Sequence, residues 1–276
     1  MKLCFNEATT LENSNLEKDL TICEQNGYDY IEIRTMDKLP EYLKTHTLDD
    51  LATYFQNHNI KPLALNALVF FNNRDEAGHA AIIQEFQEMM HICDKIGAKY
   101  VVAVPLVTTE KILKKDIKQS CIEVLQELSN IAESHGVKIA LEFVGHPECT
   151  VNTFEDTYDI VQAVNRDNVG LVFDSFHFHA MGSNIENLKN ADGSKIFIFH
   201  IDDTEDFQIG LLTDDDRVWP GHGAIDLGAH ITTLKQIGYS DVVSVELFRP
   251  EYYQLTPEET IEKAKTTTLE VISKYY

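Results

Sequence analysis

Short runs rich in β-branched and apolar residues alternate with longer stretches of helical periodicity from one end of the chain to the other. No other feature of the sequence restricts the fold as much. The β-type runs are Lys2–Asn6, Tyr28–Arg34, Ile60–Asn66, Lys99–Pro105, Val137–Phe143, Val169–Asp174, Ile196–His200 and Val242–Leu247. The helical pattern covers Asn15–Gln25, Leu48–Asn57, Glu76–Ile96, Lys115–His135, Phe154–Asn165, Asn184–Asn190, Leu227–Ile237 and Pro257–Lys274. Gly27, Gly97, Gly136 and Gly238 stand just past the ends of helical stretches, where a left-handed C-cap is wanted. Strict alternation implies parallel strands, because each return to the sheet crosses over through a helix. Eight such units in 276 residues predict a closed (β/α)8 barrel, a TIM barrel, with residues 1–276 forming a single domain. The rival is an open, doubly wound sheet. That fold usually carries a glycine-rich first turn, and here the turn reads NEATTLENS, without a glycine.

Charge and cysteine usage narrow the class of partner. Lys and Arg number 23 against 45 Asp and Glu, a formal charge of −22. Such a surface repels phosphate backbones and anionic headgroups, so neither a nucleic acid nor a membrane is expected as partner. The five cysteines at positions 4, 23, 93, 121 and 149 are scattered and form no CxxC pair, which argues for a reducing compartment and against a disulfide framework. The start, MKLCFNEATT, lacks the apolar run of a signal peptide, and no stretch reaches the ~18 apolar residues of a membrane span. The expectation is a cytoplasmic protein acting on a small molecule. The sequence leaves the oligomeric state open, a homo-oligomer included.

In a barrel of this kind the chemistry collects at the C-terminal ends of the strands. The first four runs end in Asn6-Glu7, Arg34, Asn66 and Pro105, whereas the next four carry Glu142, Asp174, His200 and Glu246. Neighbouring strands lie about 4.8 Å apart, so four side chains directed inward at one level can meet at one ion. Three carboxylates and one imidazole suit a divalent cation such as Mn2+, Zn2+ or Co2+. Any one of the four would pass as a capping or packing residue. Four in register on apolar strands, where an unpaired charge costs several kcal/mol, predict a metal centre. After the sixth strand, His177 is spaced to reach a substrate oxygen or a second ion, while His179 reads as structural. The segment after the seventh strand, Ile201 to Ile225, is long enough to be functional. Within it Arg217 could hold a polarised oxygen and Trp219 could wall the pocket. Cys149 lies in the loop after the fifth strand.

Glu142, Asp174-x-x-His177, His200-Ile-Asp-Asp203, Arg217-x-Trp-Pro-Gly-x-Gly223 and Glu246 together resemble the xylose isomerase-like barrel superfamily. That group includes sugar isomerases and epimerases, inosose dehydratases and DNA-repair endonucleases. Within it, MKLCFNEATTLENSNL, NALVFFNNRDE, KIALEFVGHP, DSFHFHAMGSNIE and VSVELFRPEYY are similar to the keto-inositol isomerases of bacterial inositol catabolism, over essentially the whole chain. The resemblance implies one divalent ion held by Glu142, Asp174, His200 and Glu246, with His177 and Arg217 touching substrate. It implies movement of a ketone to the adjacent ring carbon, from 2-keto-myo-inositol to 1-keto-D-chiro-inositol, by proton transfer through an enediolate. Glu142 and Glu246 are then the candidates to carry the proton. A dehydratase that expels water after the same first step, a sugar epimerase and a non-catalytic sugar-binding barrel are the competing outcomes. A repair endonuclease is disfavoured, because Arg217 stands where those enzymes would place a zinc-binding histidine.

Overall fold

All 276 residues are described in a computed structural model, in which eight parallel strands close on themselves into a barrel. They are β1 (Lys2–Asn6), β2 (Tyr30–Arg34), β3 (Lys61–Val69), β4 (Tyr100–Val104), β5 (Lys138–Glu142), β6 (Val169–Asp174), β7 (Ile196–Ile201) and β8 (Val242–Val245). Each pairs in parallel with its neighbours in the chain, and β8 closes the ring by pairing Val242–Val245 with Lys2–Phe5. The fold is therefore the TIM barrel that the alternation predicts.

The helices form where local chemistry lets them. Thr47 and Asp50 make a reciprocal capping box for Leu48–Asn57. Asp75 caps Glu76–Ile96, and Gly97, at φ 84°, takes the left-handed conformation that ends it. Thr256 and Glu259 cap Pro257–Tyr275, with Pro257 in the first turn, where its missing N–H costs nothing. No helix is long and apolar enough to cross a membrane.

Two short helices, Lys38–Tyr42 and Ser175–Ala180, were not legible, because five or six residues are too few to show a period. The segment after β7 is also more ordered than a plain loop. Asp203–Thr204 pairs antiparallel with Arg217–Val218, next to a 3-10 turn at Asp214–Asp216. Asp203 anchors this segment: its carboxylate accepts N–H groups from Thr204, Gly223 and Ile225 at 2.9 Å and from Gly221 at 3.1 Å. A Cβ on Gly223 would sit 2.2 Å from the Thr204 carbonyl oxygen, so only glycine allows this approach.

The two-residue period of the strands positions the site. One face of the sheet, including Phe5, Ile31, Ile33, Leu141, Phe173, Phe199 and Val243, packs against the helices in the main core. The other face fills the barrel, where Cys4, Ala64, Val102, Ala140, Val172 and Ile198 form a second, smaller apolar cluster. Two residues further along β1, β3, β5, β6 and β7 stand Asn6, Asn66, Glu142, Asp174 and His200. The inner face thus passes from an apolar floor to a polar layer at the C-terminal mouth.

Candidate metal centre

Glu142, Asp174 and His200 lie at or near the ends of β5, β6 and β7, and Glu246 follows the last residue of β8. One ligand-type atom from each lies within 4.8 Å of all the others. His200 Nδ1 is 2.8 Å from Glu142 Oε1, 3.2 Å from Glu246 Oε2 and 3.7 Å from Asp174 Oδ2. The side chains are buried, Glu142 and Glu246 being only 4% exposed. Although His200 Nδ1 and Glu142 Oε1 lie 2.8 Å apart, neither makes a hydrogen bond, to the other or elsewhere. Buried polar atoms are nearly always satisfied, so converging, unsatisfied lone pairs on carboxylates and an imidazole fit a divalent cation.

A scaffold of hydrogen bonds fixes the cluster. Asn6 Nδ2 donates to Glu246 Oε1 at 2.8 Å. Asp174 Oδ1 caps the Ser175–Ala180 helix by accepting from the His177 backbone N–H at 2.7 Å, and Oδ2 accepts from Arg217 Nη1 at 2.9 Å. Asp202 accepts from Ser175 Oγ at 2.6 Å and from the Phe176 N–H at 2.7 Å, and it also pairs with Arg217.

The protein's own charges separate the two glutamates. Burial pushes the Glu142 carboxyl up to about 8, and the charges of Glu246 and Asp174 add to that push against the pull of His200. Burial acts on Glu246 in the same sense, but His200 and Arg217 outweigh it and hold its carboxyl below the ordinary value. Asp174, also buried, is held well below the carboxylate range by Arg217 and His177. Paired carboxyls whose environments drive them apart are suited to different acid and base roles.

The residues expected to touch substrate fare differently. Arg217 is wholly buried and its N–H groups are committed. Nη1 donates to Asp174, Asp202 and the Glu246 carbonyl, Nε to Asp214 at 3.0 Å, and Nη2 to His177 Nε2 at 3.0 Å. Its guanidinium also stacks on Phe176 at 4.6 Å and lies 5.5 Å from the ring of Phe248. The structure thus ties Arg217 to Asp174 and His177, a role hidden in the sequence because the acceptors Asp174 and Asp202 reach it only on folding, Asp214 alone being a neighbour in the chain. His177 gains from this contact. Arginine can only donate, so His177 Nε2 accepts and the ring proton falls on Nδ1, a buried atom with no partner. Trp219 is 5% exposed and stacks on Tyr252 at 4.1 Å. Cys149 is buried, its thiol directed to the Val151 carbonyl at 3.2 Å.

Sequence reasoning missed two residues. Glu32, on β2, lies inside the barrel with its carboxylate against His200 Nε2. The signal was there: in YIEIR it stands between two outward isoleucines. Arg34, at the end of β2, is held by Asp37 through Nε and Nη2 and lies 5.8 Å from the Phe248 ring, which leaves Nη1 without a protein partner.

Comparison with known proteins agrees with this architecture. Inosose isomerases of Bacillus licheniformis and Bacillus subtilis are each 76% identical to the chain over 276 residues, covering 100% of it and 99% of the relative. A 1.8 Å crystal structure of the IOLI protein with a binding zinc atom superposes with a TM-score of 0.99 at 76% identity, covering 100% of this chain and 99% of that one. The family model described as xylose isomerase-like TIM barrel matches residues 20–269. With that match spanning nearly all of a closed eight-stranded barrel, the chain belongs to the xylose isomerase-like TIM barrel family.

Proposed function

We propose that this chain is a metal-dependent isomerase that interconverts 2-keto-myo-inositol and 1-keto-D-chiro-inositol. The observation that carries the reading is the buried meeting of Glu142, Asp174, His200 and Glu246 at the barrel mouth, in a chain 76% identical to inosose isomerases over its full length. A divalent ion held by these four residues, with Zn2+, Mn2+ and Co2+ all suited to the donor set, supplies Lewis-acid polarisation of a carbonyl and so acidifies the neighbouring carbon-bound hydrogen.

The chain's own residues do the rest. Glu142 and Glu246 approach from separate strands, and a general base must stand within about 3 Å of the proton that it removes. One accepts the proton from the ring carbon and, after exchange with solvent, the pair delivers a proton to the former carbonyl carbon, while the hydroxyl proton of the oxygen that becomes the new carbonyl passes to the oxygen that was the old one. Asp174 and His200 chiefly hold the ion. His177 Nδ1–H is a preformed donor for the oxygen on which negative charge develops, and Arg217 keeps that imidazole in the donating tautomer. Arg34 Nη1 offers further donors to ring hydroxyls. The scattered, buried thiols suit a reducing cytoplasm.

Incubation of 2-keto-myo-inositol with the purified protein in heavy water is expected to give 1-keto-D-chiro-inositol with deuterium on the ring carbon that receives the proton, read by NMR. A product that has lost one water would make the protein a dehydratase. Complete retention of the original hydrogen would replace proton transfer by a hydride shift.

A further inference from the structure

The inner face of the barrel carries one charge that the scheme above does not use. Glu32 is wholly buried, as are His200 and Ser244 beside it. Its carboxylate lies 3.0 and 3.3 Å from His200 Nε2, accepts from Ser244 Oγ, and lies 3.4 Å from Asn66 Nδ2. Those partners come from β7, β8 and β3, so the carboxylate is gripped from three strands. An ionised carboxylate only accepts hydrogen bonds. His200 Nε2 must therefore carry a ring proton, so when the ring is neutral, as ion binding requires, the lone pair falls on Nδ1. That is the atom facing Glu142, Asp174 and Glu246.

We propose that Glu32 is a positioning residue of the metal centre: it locks His200 as the Nε2–H tautomer, fixes the plane of the ring, and makes Nδ1 the ligand atom and a stronger donor. Both effects follow from placing an anion on the far nitrogen of a metal-binding imidazole. Ser244 and Asn66 hold the carboxylate from its other sides, so ring and anion stay aligned. The inference rests on the metal-centre reading and adds the residue that sets the affinity of that centre.

The test compares the metal-stripped full-length chain with Glu32→Gln, titrated with Zn2+ against a chelator and with Co2+ followed by visible absorption. Gln keeps the shape of the side chain, and the Ser244 hydroxyl and Asn66 amide can each reverse their hydrogen-bonding sense to accommodate it. The variant is expected to bind one ion about 10–100-fold more weakly and to show an altered Co2+ spectrum. A parent that binds no ion overturns the metal centre itself. A parent that binds one ion, beside a variant of equal affinity and unchanged spectrum, overturns the role of Glu32, even if thermal stability falls. Should Glu32→Gln fail to fold, Glu32→Asp is read in the same way. It keeps the charge but withdraws the carboxylate, so reduced affinity is expected and parental affinity refutes the proposal.

Discussion

Glu246→Gln is expected to lose at least about a thousandfold in kcat, even with the divalent ion saturating, because general acid–base catalysis alone contributes about 10²–10⁴-fold. The substitution barely changes shape. Gln can still accept from Asn6 Nδ2, which now reaches Glu246 Oε1 at 2.8 Å, so the β8 end should stay in place. What disappears is the anionic oxygen near His200 Nδ1 and the capacity to take up a proton. Measuring kcat at several ion concentrations separates the two losses, since a defect in ion binding alone is restored by excess ion. Turnover within about tenfold of the parent would remove Glu246 from the proton path and leave that work to Glu142.

Arg217→Met is expected to cost about 3–5 kcal/mol of stability, the usual result of removing one partner from a buried ion pair. Arg217 is wholly buried, and it alone bridges Asp174, Asp202 and Asp214 while donating to His177. Methionine fills much of the volume but leaves the carboxylates of Asp174 and Asp202 without their cation. Arg217→Lys should recover only part of the loss, because an ammonium cannot reproduce a planar fork that serves several acceptors at once. Denaturant midpoints measure both variants. Parental stability in Arg217→Met would show that the carboxylates find other compensation and that Arg217 serves the substrate rather than the frame.

The barrel could be read from the chain because its evidence is local. Val169–Asp174 and Ile196–His200 are apolar runs that stand out by composition, and Gly97 closes its helix by a rule confined to a single turn. The four ligand-type residues were legible for a related reason: a parallel barrel sends every strand end to the same mouth, so residues at corresponding positions must meet. Glu32 was harder. Its inward parity is visible in YIEIR, but its partner lies 168 residues away and comes within reach only once the barrel closes. Arg217 shows the reverse case, where the structure adds partners that the sequence does not display. A cation beside the barrel mouth reads as a substrate contact, whereas the nearby Asp214 and two aspartates brought in by the fold, Asp174 and Asp202, take up its donors. The short Ser175–Ala180 helix, which aligns His177 with Asp174, left no periodic trace at all.

The most direct test of the metal-dependent chemistry follows 2-keto-myo-inositol by NMR with the protein stripped by a chelator and then given one equivalent of divalent ion per chain. No 1-keto-D-chiro-inositol should form in the stripped sample, and activity should return in full at one equivalent. Undiminished turnover by a protein shown by elemental analysis to hold no ion would contradict the reading of Glu142, Asp174, His200 and Glu246 as the seat of the chemistry.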